Sequence, residues 1–175
     1  MKNIILCGAF ALCSVSALAK DAPYAGQDTR AIKALSQERI SGLLEGKGLG
    51  YAKVAELNGY PGPSHVLELA EKLNLSKEQI ESTKAIFKKM NNEARDLGAQ
   101  LVEAERKIDL NFQNNKVTEK IVQISLKEIG ILEARLRACH VNAHLSQKAV
   151  LTKHQIHTYN KLRGYSSGEH KHHHH

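Results

Sequence analysis

Small or apolar residues fall at Ile80, Thr83, Phe87, Met90, Ala94, Leu97, Leu101, Ala104 and Ile108, three and four positions apart in unbroken alternation. That spacing puts them in one seam along a long helix and leaves the seam in need of a partner. Gln113-Asn114-Asn115-Lys116 reads as a short polar turn, and Thr118 is placed to cap a second helix. The seam of that helix runs Val122, Ser125, Ile129, Leu132, Leu136, Cys139, Ala143, Ser146 and Val150. Two long seams joined by so short a loop predict an antiparallel helical hairpin. Pairing them about Asn115 sets Ile108 beside Val122, Leu101 beside Ile129, Ala94 beside Leu136 and Met90 near Cys139 or His140.

One cassette brackets the hairpin. Leu75-Ser76-Lys77-Glu78-Gln79 is followed by Ile80, and Leu151-Thr152-Lys153-His154-Gln155 is followed by Ile156. In each copy the hydroxyl can accept from the first free helix amides. The Gln three residues on can reach back to the cap amide, and the flanking apolar residues can staple the turn. Leu75, Ser76 and Gln79, and likewise Leu151, Thr152 and Gln155, therefore read as helix starts, with capping as the whole expected role of both glutamines.

Shorter elements flank the hairpin. Leu35-Ser36-Gln37-Glu38-Arg39-Ile40 is a weaker cassette, with Arg39 in the Gln place, opening a short helix that Gly46 and Gly48 end. Ala52 to Leu57 can make one or two helical turns, Tyr60-Pro61-Gly62-Pro63 forces a turn, and Ser64 is expected to cap a helix through Leu73. The last helix is expected at about Lys153 to Arg163, ended by Gly164. Nothing alternates as a strand does, so the chain is predicted to be all-α, a long antiparallel hairpin with shorter flanking helices. Gly46-Lys47-Gly48-Leu49-Gly50 is not a phosphate loop, because no strand precedes it and no Gly-Lys-Ser/Thr follows.

The first residues carry one lysine, then an apolar run from Ile4 to Val15, then Ala17-Leu18-Ala19. This is the pattern of a cleaved export signal over residues 1–19, too short in its apolar part to anchor comfortably. The remaining organisation is an N-terminal extension over 20–34, a helical domain over 35–163 and a flexible tail over 164–175. Periplasmic localisation without stable membrane insertion is the expectation. The formal net charge of +7 favours anionic partners without choosing one, while the absence of Trp removes the stacking platform of single-strand nucleic-acid binders. Cys139 is the only cysteine beyond the signal, so no internal disulfide is expected; burial, an intermolecular bridge and metal ligation all stay open for it.

Paired Leu-Ser/Thr-x-x-Gln motifs on an exported all-helical chain with a long central hairpin resemble the Spy/CpxP family of periplasmic stress proteins, which takes in heavy-metal sensors and resistance factors of the ZraP and CnrX kind. The resemblance covers about residues 35–163; Ser76 stands where Thr is commoner in the family. It implies an antiparallel homodimer shaped as a shallow cradle, holding unfolded periplasmic proteins without ATP. It also implies an envelope-stress role, with a sensor kinase or a sigma/anti-sigma system as a candidate partner. The long seams agree with this, having more apolar surface than one copy can bury unless the N-terminal helices fill the second face.

The alternative function is periplasmic binding of Zn, Cu, Ni or Co, as a sensor or resistance factor. Nine of the ten histidines lie from His140 onward. His140 and His144, one turn apart, form a bidentate unit that needs further ligands, and the hairpin register brings Met90 and Cys139 near enough to be considered, with soft sulfur favouring Cu(I). Ordinary surface histidines are the plainer account. CnrX-type sensors carry a further His pair early in the mature chain, and no His occurs here between Lys20 and Ser64. The tail residues His170, His172, His173, His174 and His175 can chelate whatever the fold, until they protonate near pH ~6.5. Lys171 interrupts that run, which favours a native tail over an appended tag. No metal is expected to be required. No nucleophile–base pair, paired carboxylates or HExxH motif stands out, so no catalytic residue is assigned and the chain is not expected to be an enzyme.

Overall fold

The computed structural model describes residues 22–165; the export signal expected over residues 1–19 and the histidines of the tail lie outside the described residues. Six helices follow in order: α1 Gln37–Leu44, α2 Lys53–Glu56, α3 Pro63–Glu68, α4 Lys77–Gln113, α5 Glu119–Val150 and α6 Lys153–Leu162. No strand occurs among the described residues, and no helix there is long and apolar enough to cross a membrane.

α4 and α5 form the expected antiparallel hairpin. Thr118 caps α5 by accepting from the Ile121 amide, and Asn115 closes the turn with a positive φ of 53°. Two cross-hairpin contacts fix the register. The Cys139 thiol donates to the Met90 carbonyl at 3.4 Å, and the Gln147 amide donates to Thr83 Oγ1 at 3.1 Å. Both sit within one residue of the pairing read about Asn115. The α4 seam is buried from Met90 to Ile108, with Ile80 and Phe87 only half-buried.

The α5 seam departs from its expected course at one end. Leu132, Leu136, Cys139 and Ala143 are buried as read, but Ser146 is exposed and Gln147 takes its place. A straight helix turns once per 3.6 residues, so a strict 3.5-residue seam drifts around it until the next position faces the partner. At the other end, no residue of α5 before Leu132 is buried.

The N-terminal segment packs over one side of the hairpin. Ser36 caps α1 by accepting from the Arg39 amide, and Gly46, at φ 70°, ends it in the left-handed conformation that Gly adopts without Cβ strain. Ile32, Leu35 and Leu43 join Leu97, Leu101, Leu132 and Leu136 in the main core. Gly98 is the point of closest approach, since a Cβ there would stand 2.2 Å from the Leu43 carbonyl oxygen.

α3 is shorter than read and starts earlier. Gly62 occupies the cap position, Pro63 takes the first turn, and the helix ends at Glu68 rather than Leu73. Proline lacks the amide that a first-turn residue cannot use and already has helical φ, while Ser64 Oγ is turned onto Glu68 Oε1 at 3.2 Å instead of capping. Val66 and Leu73 from this segment meet Leu151 and Tyr159 in a second, smaller core.

Both cassettes are complete capping boxes. The Ser76 and Thr152 hydroxyls accept from the amides of Gln79 and Gln155, whose side chains accept from the Ser76 and Thr152 amides in return. Capping is not their whole role, however. The Gln79 amide group donates to Gln155 Oε1 at 2.9 Å, and that of Gln155 donates to Gln79 Oε1 at 3.0 Å. Each also donates to a main-chain carbonyl, Gln79 to Val150 at 2.9 Å and Gln155 to Leu73 at 3.3 Å. Two helix starts 76 residues apart are thus clasped directly to each other.

Candidate functional site

Two regions carry more chemistry than the packing needs. The first is the turn end of the hairpin, where two helices stand nearly alone. Ile124, Leu126 and Ile131 on α5 and Leu110 and Phe112 on α4 are exposed. Ile124 and Ile131 lie two turns apart on one face with Lys127, Glu128 and Arg135 around them. Phe112 and Leu126 line a further apolar depression beside Lys33 and Ala34. The N-terminal segment reaches this side through Lys33 and Ala34, the Lys33 amide donating to Asp109 Oδ1 at 3.2 Å. It therefore leaves much of the second apolar face uncovered.

The second region is a pocket of about 360 Å³ at the other end of the long helices. Its walls are the Glu45–Gly48 loop, the start of α3 and facing stretches of α4 and α5, and it includes His65, Phe87, Met90, His140 and His144. His140 and His144 are on one helical face, as read, but not as surface residues. His140 is 3% exposed and its ring stacks on Tyr51, centroids 5.7 Å apart and planes 6° from parallel. Tyr51 is held in turn by Glu133, which accepts from its hydroxyl at 2.6 Å, while Arg39 bonds both. Burial lowers the pKa of His140, helped by the nearby His144, so its ring is neutral near pH 7. Its Nε2 is buried without a hydrogen-bond partner.

His144 is fixed differently. Its Nδ1 lies 2.7 Å from the Tyr60 carbonyl, which can only accept, so Nδ1 carries the proton and the lone pair is on Nε2. Glu56 stands behind it, with Oε2 at 3.5 Å from Nδ1. That carboxylate is already engaged, accepting from the Tyr159 hydroxyl at 2.6 Å and the Gly62 amide at 3.1 Å. Glu56 thereby ties α2, the Pro61 turn, α5 and α6 together, and it raises the pKa of the Tyr159 hydroxyl, which burial already pushes up.

Met90 lines both the histidine pocket and a neighbouring groove, whereas Cys139 lines the groove, with Lys89 and Glu93, which contains neither His140 nor His144. Its thiol is buried and its pKa is pushed up to about 11, chiefly by desolvation, with Glu93 adding to it. His65 enters the pocket from α3 and was not singled out in the sequence. Its only sequence signal was Glu68 one turn on, whose Oε2 now lies 3.0 Å from His65 Nδ1. No three His, Cys, Asp or Glu side chains are gathered tightly enough to form a ready-made metal site among the described residues. His170 and His172 to His175 lie outside them. Compared with family models, with curated proteins and with solved structures, the chain has no match.

Proposed function

We propose that the protein is a periplasmic, ATP-independent holder of unfolded polypeptides, an envelope-stress accessory protein of the Spy/CpxP type that works as a homodimer. The observation that carries this reading is the open apolar surface at the turn end, where Ile124, Leu126, Ile131 and Phe112 are each more than half exposed. Two apolar depressions, one with Ile124 and Ile131 and one with Phe112 and Leu126, each bordered by charges of both signs, suit weak, unselective contact with extended chains. Nothing in the capping boxes or the cores requires these residues to be apolar. Light scattering of an unrelated unfolding protein, followed without metal or nucleotide, tests the reading. Suppression by the intact chain and its loss on Ile124→Ser/Ile131→Ser is expected; no suppression at a stoichiometric amount of dimer rejects it.

A second reading, binding of a transition metal at His140 and His144, is favoured by the buried, unpartnered Nε2 of His140 beside a His144 whose tautomer is set by Tyr60. Metal-ligating histidines commonly have the other ring nitrogen held by a carbonyl or carboxylate in this way. Calorimetric titration of the intact chain against His140→Ala/His144→Ala, each with the tail histidines replaced by Asn, tests it. Heat that survives the helical double substitution excludes the pair as ligands.

A further inference from the structure

The histidine pocket holds donors that the fold does not use. His140 Nε2 is buried and unpartnered, although buried polar atoms are ordinarily satisfied. His144 Nε2 bears a lone pair, and the neighbouring Gly62 leaves it room: a Cβ at Gly62 would stand 3.0 Å from Nε2 and 2.9 Å from Cε1. At the mouth, His65 Nδ1 is engaged by Glu68, which leaves the His65 Nε2 lone pair free in the same sense. Met90, 8% exposed, lines the same space and carries a thioether.

Resting on the metal-binding reading above, we propose that this pocket takes one Cu(I) ion. His140 Nε2, His144 Nε2 and the Met90 sulfur are its ligands, and His65 closes over it from the mouth. The donor set selects the ion. The donors are imidazole nitrogens and a thioether, with the carboxylates of Glu56 and Glu68 behind His144 and His65, at 3.5 and 3.0 Å from their Nδ1 atoms. Thioether sulfur adds preference for the soft cuprous ion over Zn(II) or Co(II). The imidazoles do not meet at one point; His65, with its side chain 40% exposed, is the least enclosed of them.

The test uses the full chain with His170 and His172 to His175 changed to Asn, so that the tail does not compete. It is titrated anaerobically with Cu(I) against a chromophoric chelator, and separately with Zn(II). One equivalent of Cu(I) is expected, weakened by about tenfold or more in His140→Ala, His144→Ala and His65→Ala. Met90→Leu should weaken Cu(I) by a similar factor and leave Zn(II) nearly unchanged. X-ray absorption of the loaded protein should show a sulfur neighbour that survives Cys139→Ala and disappears in Met90→Leu. Gly62→Ala keeps an ordinary backbone, φ being −84°, but sets a methyl against His144 Nε2, so it should also weaken Cu(I) even if Met90→Leu folds poorly. No uptake by the tail-substituted chain rejects both the metal-binding reading and this proposal. Uptake that depends on His140 and His144 but ignores Met90, or that loses its sulfur with Cys139, keeps the reading and overturns the proposal.

Discussion

Gln79 and Gln155 hold each other through a reciprocal pair of amide hydrogen bonds, 2.9 and 3.0 Å long, while each also completes the capping box of its own helix. Capping and clasping can be separated experimentally. Gln79→Glu keeps an acceptor for the Ser76 amide, and Glu serves a capping box as well as Gln does. It removes the two donations to Gln155 and Val150, however, and sets a carboxylate against Gln155 Oε1. Urea unfolding should show Gln79→Glu and Gln79→Ala both destabilised by about 2–3 kcal/mol, with a coupling of about 1 kcal/mol or more to Gln155→Ala. If Gln79→Glu is neutral, the clasp contributes nothing beyond the cap.

Gly98→Ala is expected to be among the most damaging single-methyl additions. The new Cβ would meet the Leu43 carbonyl oxygen and carbon at 2.2 and 2.7 Å, and backbone cannot swing aside as a side-chain tip does. Overpacking of this kind costs about 1–3 kcal/mol or more. Loss of amide-exchange protection confined to α1 would show that the short helix undocks while the hairpin persists.

Acid should weaken the fold through His140. Its pKa is lowered in the folded protein from the ordinary 6.5, so the unfolded chain takes up the proton first. The stabilisation is complete above about pH 6.5 and is lost as pH falls through the lowered folded value. His140→Phe retains a ring to stack on Tyr51 and should flatten this part of the pH profile between pH 8 and 5, measured as the urea midpoint; an unchanged profile would assign the acid sensitivity elsewhere.

Cys139 should behave as an inert thiol. With its pKa pushed up to about 11, only about a thousandth of it is thiolate at pH 8. Alkylation by iodoacetamide should be slow in the native protein and rise sharply in denaturant. Rapid native labelling would mean that the groove beside Lys89 and Glu93 opens readily.

What could be read from the chain alone was whatever depends on short spacing. Thr118 at its cap, the polar turn at Asn115 and Met90 against Cys139 follow from local periodicity and from counting outward from a turn. What could not be read depends on elements meeting at angles that no spacing records. Gln79 and Gln155 looked like two independent caps because each is locally explained; only the closure of the hairpin brings them together. His140 looked like a surface residue beside the seam because Tyr51, which covers it, comes from an irregular loop with no periodic pattern. His65 stood alone in the sequence, and only the short α3, begun at Pro63 rather than capped at Ser64, turns it into the pocket.

The distribution of packing along the hairpin makes it a cantilever. At one end the glutamine clasp, the Glu56 hub and the N-terminal helices fix the two rods; at the other no residue of α5 before Leu132 is buried. α4 alone spans about 55 Å, at ~1.5 Å for each of its 37 residues. A beam held mainly near its root is least braced at its tip, where opening exposes little that was buried and the helices keep their own hydrogen bonds. The apolar end therefore has the least packing to fix its curvature, and the clamped end, with its histidines, has the most.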